Sequence, residues 1–144
     1  FYCSFIVKKI GFYKIIKFPS SDTKNGVLFM YQKGDVPFLT RKTLLIKGMA
    51  GNDKRGGHTH HKTNQILICL SGRCKVSLNN GKDKAEVVLN KADEGLLLYP
   101  YVWHTMYGFK PNTILLVLAD RKYNEKEYIR NYEEFMKIIK HKKL

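Results

Sequence analysis

The chain has 144 residues, 44% of them hydrophobic, with 9 Tyr, 8 Phe and a formal charge of +14. That length fits one domain able to bury a core without staples, the composition excludes a disordered chain, and no apolar run approaches the roughly 18 residues of a membrane span. The lysines and arginines are dispersed, with only the tail KIIKHKKL dense, so neither nucleic acid nor membrane is expected as a partner, whereas a small anionic ligand needs only a few of these cations.

The opening FYCSFIVKKIGFYKIIKF is apolar but broken by lysines, and it lacks the uninterrupted core and small-residue cleavage site of a secretory signal. It reads as a strand or N-terminal arm of a cytoplasmic protein. The chain starts at Phe1, so its native start is expected upstream. GVLFMYQ and VPFLTRKTLLIKGM follow as two β-prone runs separated by the turn signal KGDVP. Short apolar runs then recur at roughly ten-residue spacing, namely ILICL, KVSL, AEVVL, GLLLY and TILLVLA, set off by SG, NNG, NKADEG and KPN. This rhythm predicts an all-β sandwich or barrel of antiparallel sheets. Cys69 and Cys74 flank LSGR, and a two-residue Ser71-Gly72 turn would set them across a hairpin as reduced core thiols. At the end, Asn124 and Glu127 form a helix-start pattern, and Tyr128, Ile129, Tyr132, Phe135, Met136 and Ile139 recur as on one face. One amphipathic C-terminal helix is expected to close a single domain spanning residues 1–144.

The chemistry concentrates in RGGHTHHKTNQ, residues 55 to 65. Side chains two apart on a strand share a face, so His58 and His60 project together while His61 points away. Gln65, Gly72, Pro100 and His104 follow in order. A same-face histidine pair beside Arg55 and two glycines favours a proton-transfer site over hydrogen-bonded structural histidines, because unperturbed imidazoles titrate near neutral pH.

This order of His-x-His, a Glu or Gln, Gly, Pro and a distant His resembles the two-part motif of cupins, which are jelly-roll barrels. In metal cupins the two early histidines, a glutamate and the late histidine hold the metal. Here Gln65 stands at the glutamate position, and a neutral amide leaves the charge of a divalent ion uncompensated. Neither metal nor cofactor is expected.

More narrowly, VPF (36 to 38), RGGHTHHK, QILICLSGRCKVSLNNG, PYVWHTM and ILLVLADRKYNEKEYIRNYEEF are similar, over nearly the whole chain, to the nucleotide-sugar 3,4-ketoisomerases. These act on dTDP-4-keto-6-deoxyglucose in deoxysugar biosynthesis. The resemblance implies a cupin jelly-roll homodimer, often with exchanged N-terminal strands, that converts this dTDP-sugar to a 3-keto-6-deoxyhexose through an enediol. It makes His60 the base for the carbon-bound proton and gives His58 the oxygen-bound proton or the enediolate. Arg55 would hold the diphosphate or enediolate charge, its alternative being a salt bridge at the strand end. Gln65 and His104 would complete the polar wall, with Lys42 and Lys75 also facing substrate and Trp103 in the core. The family's Arg-Val and two aromatics are replaced by Lys42-Thr43-Leu44-Leu45, and its Arg-Gly after the first strand by Lys24-Asn25. A tyrosine hydroxyl is thereby lost at Leu44, which Tyr99 or Tyr101 could restore unless they serve packing or the rim. Two other functions fit these residues: a metal-dependent cupin enzyme, and a non-catalytic nucleotide-sugar-binding cupin.

Overall fold

The computed structural model describes residues 9–142; Cys3 and the first part of the predicted arm lie outside them. Two antiparallel sheets form the body. One has the order β1-β2-β10-β7-β12-β5, from Lys9–Ile10 (β1), Tyr13–Lys17 (β2), Glu94–Leu98 (β10), Gln65–Ser71 (β7), Ile114–Ala119 (β12) and Lys42–Lys47 (β5). The other has the order β13-β6-β11-β8-β9, from Tyr128–Ile129 (β13), Arg55–His60 (β6), Trp103–Tyr107 (β11), Cys74–Asn79 (β8) and Lys84–Leu89 (β9). From β5 to β8 the chain changes sheet at every step, which is jelly-roll connectivity. Ser20–Thr23 (β3) and Gly26–Phe29 (β4) make a separate hairpin, exposed throughout.

The core lies between the sheets, where Leu67 and Cys69 of β7, Leu96 and Leu98 of β10, and Leu115 and Val117 of β12 meet Cys74, Val76 and Leu78 of β8. The alternate residues Ile66, Ile68, Leu97, Leu116 and Leu118 pack on the far side of the larger sheet, under Phe18, Val36, Tyr31 and Phe38. Strands buried on both faces read as continuous apolar runs, which is why ILICL and ILLVLA do not alternate. The predicted VPFLTRKTLLIKGM strand is accordingly shorter. Residues 36 to 41 cross the outer face, Val36 is buried there, and only Lys42–Lys47 joins the sheet.

Two expectations are corrected. Cys69 and Cys74 are not cross-strand neighbours of a hairpin, because β7 and β8 belong to different sheets. The chain instead bends at Gly72 (φ 79°) and crosses the sandwich, leaving both cysteines free and buried between the sheets. Nor is the C-terminal segment one helix. Asn124 caps a single 3-10 turn at Glu125–Glu127, Tyr128–Ile129 pairs with β6, and a new cap at Asn131 starts α1, Tyr132–Lys142. The Asn131 side chain accepts from Glu134 N at 2.9 Å, so helix geometry restarts only after the strand. Trp103 seats this helix, with ring centroids 5.3 Å from Tyr132 and 5.6 Å from the buried Phe135. Among the described residues no helix is long and apolar enough to cross a membrane.

Candidate active site

β6 and β11 run side by side with His58 opposite His104, and the register slips between His104 and Thr105. Gly56 and Gly57 permit this irregularity: both have positive φ (84° and 70°), and a Cβ on Gly56 would stand 2.9 Å from the His104 carbonyl oxygen. His58, His60 and His104 consequently converge. Ring centroids are 5.0 Å apart for His58 and His60, 4.9 Å for His58 and His104, and 5.8 Å for His60 and His104. Gln65, the first residue of β7, closes the inner end with its Nε2 3.1 Å from His104 Nε2. His104 Nδ1 lies 3.0 Å from the Val102 carbonyl, which can only accept. The neutral ring therefore carries its hydrogen on Nδ1 and accepts from the Gln65 amide at Nε2.

These imidazoles line a cavity of about 370 Å³, with Leu44, Ile46, Leu67, Met106 and Val117 as its apolar wall and Lys42, Lys54, Arg55 and Arg130 as its cations. Burial, reinforced by positive neighbours, keeps the imidazoles uncharged. His58 is lowered to about 3 by burial, then by His104 and Arg130. His60 is lowered to about 2 by burial, then by His104, His58, Lys42 and Arg130. His104 is lowered to about 4 by burial. At neutral pH the site holds three uncharged imidazoles beneath four cations.

The structure thus brings together His58, His60, His104, Gln65, Arg55 and Lys42. It separates three other predicted residues from them. Lys75 alternates along β8 with the buried Cys74 and Val76, and its ammonium lies 3.9 Å from Glu86, outside the cavity. Tyr99 is exposed at the corner before β11. Tyr101, at φ 60°, has its hydroxyl 3.1 Å from His61 Nδ1 and the Lys142 ammonium 3.6 Å above its ring, also outside the cavity. Neither tyrosine replaces the hydroxyl missing at Leu44. The phenol in the cavity belongs to Tyr128, which with Arg130 was hidden in an apparently helical pattern. Their spacing of two residues, matching that of His58 and His60, was the available signal.

As a metal site the cluster is incomplete. The three histidines can place one ring nitrogen each within 4.8 Å of one another, so proximity alone would allow them to share an ion. The lone pair of His104 Nε2 is taken by Gln65, and among the described residues no carboxylate joins the set. An ion held by His58, His60 and His104 would have to displace the Gln65 amide and leave its own charge uncompensated.

A jelly roll whose inward faces gather uncharged imidazoles under a group of cations defines a cupin site suited to proton transfer on an anionic small molecule. The family described as FdtA (WxcM-like, C-terminal) matches residues 11–140. TDP-4-oxo-6-deoxy-alpha-D-glucose-3,4-oxoisomerase of Aneurinibacillus thermoaerophilus is 36% identical over 132 residues, covering 92% of this chain and 91% of that protein. Among solved structures, a His-to-Asn variant of the 3,4-ketoisomerase QdtA from Thermoanaerobacterium thermosaccharolyticum, in complex with TDP-4-keto-6-deoxyglucose, superposes with a TM-score of 0.89 at 34% identity, over 92% of this chain and 96% of that one. WlaRA, a TDP-fucose-3,4-ketoisomerase from Campylobacter jejuni, gives 0.83 at 35% identity, over 88% and 94%. The chain belongs to this FdtA-type family of sugar 3,4-ketoisomerases.

Proposed function

We propose that this protein is a 3,4-ketoisomerase of a TDP-4-keto-6-deoxyhexose in deoxysugar biosynthesis, working in the cytoplasm as a single-domain homodimer without metal or cofactor. The observation that carries the reading is the convergence of His58, His60 and His104 in one cationic cavity, in a chain whose relatives bear that activity in their names.

The C4 ketone acidifies the proton on C3. Neutral His60 takes that proton, the C3–H pair becomes the C3=C4 bond, and the carbonyl pair moves onto the C4 oxygen. His58 moves a proton from the C3 oxygen to the C4 oxygen, and His60, whose imidazolium proton exchanges with solvent, delivers a proton to C4, leaving the ketone at C3. Atoms and electrons balance within the sugar, so no oxidant is required. Burial is the main depressor of His60, and Lys42 and Arg130 add to it; an anionic diphosphate entering beside these cations offsets their share and raises the proton affinity of His60. Arg55 and Lys54 make no ion pair among the described residues, leaving Arg55 free for the diphosphate rather than tied at the strand end. Gln65 fixes His104, which supports the pair from below.

Dimerisation has its support in apolar surface. The β3–β4 hairpin exposes Val27, Leu28 and Phe29, and the edge strand β5 exposes Leu45 on the face away from the cavity, a pattern that marks an interaction face. The test of the reaction is NMR of TDP-4-keto-6-deoxyglucose with the protein in deuterated water. Conversion to the 3-keto sugar with deuterium entering the ring is expected; a sugar bound but unchanged, with and without added transition metal, would leave only the non-catalytic binding cupin.

A further inference from the structure

Tyr128 sits on β13 directly opposite His60 in the ladder, its ring edge-on to both bases at 5.0 Å from His58 and 4.6 Å from His60. Across the cavity Lys42, the first residue of β5, has its Nζ 3.4 Å from the Tyr128 hydroxyl oxygen. An ammonium has donors only, so the phenol oxygen accepts from Lys42. The phenol hydrogen has no acceptor among the described residues and is free for whatever fills the cavity. The ring itself is held. The Arg130 guanidinium lies 4.4 Å from its centroid, and Arg130 is fixed in turn by Glu125 through Nε to Oε1 at 2.8 Å and Nη2 to Oε2 at 3.2 Å. A phenol fixed by its face and its oxygen, with its hydrogen unspent beside two bases, is arranged as a preorganised donor.

We infer that Tyr128 donates a hydrogen bond to the sugar oxygen on which negative charge develops, and that Lys42 is the positioning residue that turns its hydroxyl toward that oxygen. The inference rests on the ketoisomerase reading. When His60 removes the C3 proton, charge gathers on the C4 oxygen; on the return step it gathers on the C3 oxygen. A donor between adjacent oxygens serves both, without giving up its proton. It also places in the cavity the hydroxyl that Leu44 does not supply.

The experiment compares Tyr128→Phe, Lys42→Met and Lys42→Arg in the full chain with TDP-4-keto-6-deoxyglucose. Tyr128→Phe keeps the ring and its packing, and is expected to lose about 100-fold in kcat with KM within about threefold, the signature of an interaction made in the transition state. Lys42→Met is expected to lose about 10-fold in kcat, and Lys42→Arg, which retains a donor, to recover most of it. Independently of turnover, NMR of protein labelled at the tyrosine Cζ should show the Tyr128 signal moved by Lys42→Met in the absence of substrate. A Tyr128→Phe enzyme as fast as wild type, or a Tyr128 signal unmoved by Lys42→Met, overturns the inference. A wild type that binds the sugar without converting it removes the ketoisomerase reading and the enediolate role with it, while the labelled tyrosine still decides separately whether Lys42 and Tyr128 pair.

Discussion

Tyr128 faces His60 across the β6–β13 ladder, so a two-residue strand near the C-terminus completes the wall around the cavity bases. The strand is held from its N-terminal side. Glu127 accepts from Lys62 N at 3.0 Å and from Thr63 Oγ1 at 2.7 Å, and its own carbonyl accepts from His61 N at 3.0 Å. The loop that leaves β6 is thus tied to the turn that enters β13, and the histidines share one rigid frame with the tyrosine.

Replacing His60 by Asn retains a polar side chain of similar volume but removes the group able to take a carbon-bound proton at neutral pH. Turnover should fall by at least about 100-fold with little change in nucleotide-sugar affinity. Deuterium from solvent should no longer enter the sugar ring. Exchange at the wild-type rate in His60→Asn would pass the base assignment to His58.

Gln65→Glu tests why an amide stands where metal cupins carry a carboxylate. The wild type is expected to turn over undiminished after dialysis against EDTA. A carboxylate at position 65 would no longer donate to His104 Nε2, now 3.1 Å away, and would add the missing negative charge beside three imidazoles. Elemental analysis of Gln65→Glu purified without chelator should show transition metal near one equivalent, and wild type far less. Equal metal in both proteins, with wild-type turnover abolished by its removal, would reinstate the metal-dependent cupin.

Much of this was legible in the chain because periodicity survives where one side of an element is uniform. His58 and His60 announce a shared face, and their order with Gln65 and His104 announces the cavity that Arg55 and Lys42 enter. Tyr128 was masked: its two-residue spacing to Arg130 is too short a run to outweigh Tyr128, Ile129, Tyr132 and Phe135, which mimic a helical face although Asn131 restarts the backbone between them. Tyr99 and Tyr101 flank Pro100 at a corner where no period applies. Lys75, by contrast, could have been excluded by its alternation with Cys74 and Val76, both fully buried. The sheet change between Cys69 and Cys74 is set by partners distant in sequence, β10 and β12 for β7 and β11 for β8.

Gly72, where that change occurs, should tolerate no side chain. Its φ is +79°, and an added Cβ would stand 2.7 Å from Thr113 Cα and 2.4 Å from Thr113 Oγ1. Thr113 cannot yield, since its hydroxyl donates to the Lys110 carbonyl at 2.6 Å and accepts from Arg73 N at 3.2 Å. Strain and overpacking together should cost Gly72→Ala about 2–4 kcal/mol in urea denaturation. Gly48→Ala, at φ +82° with nothing within 4 Å of the new Cβ, should cost only the backbone strain, about 1–2 kcal/mol. Equal losses in the two variants would show that contact with Thr113 is unimportant.

The buried imidazoles also set how the fold responds to acid. In the unfolded chain a histidine takes its proton near pH 6.5. In the native protein burial holds His58 at about 3, His60 at about 2 and His104 at about 4. All three are neutral in both states above pH 6.5, so their contribution is complete there. As pH falls below 6.5 the unfolded chain binds protons that the native site refuses, and stability is lost until each native value is passed. Glu125 and Glu127, both lowered in the native protein, add their own loss only below the carboxylate range, so the window between pH 6.5 and 4.5 reports the histidines. Each fully shifted histidine contributes about 1.4 kcal/mol per pH unit there. Urea titrations at pH 7, 6 and 5 should therefore show unfolding free energy falling with pH, and His60→Asn, which removes one proton from the difference, should fall less steeply by about 1.4 kcal/mol per unit. A wild type as stable at pH 5 as at pH 7 would mean that the native imidazoles take up protons as readily as those of the unfolded chain, and that burial does not hold them neutral.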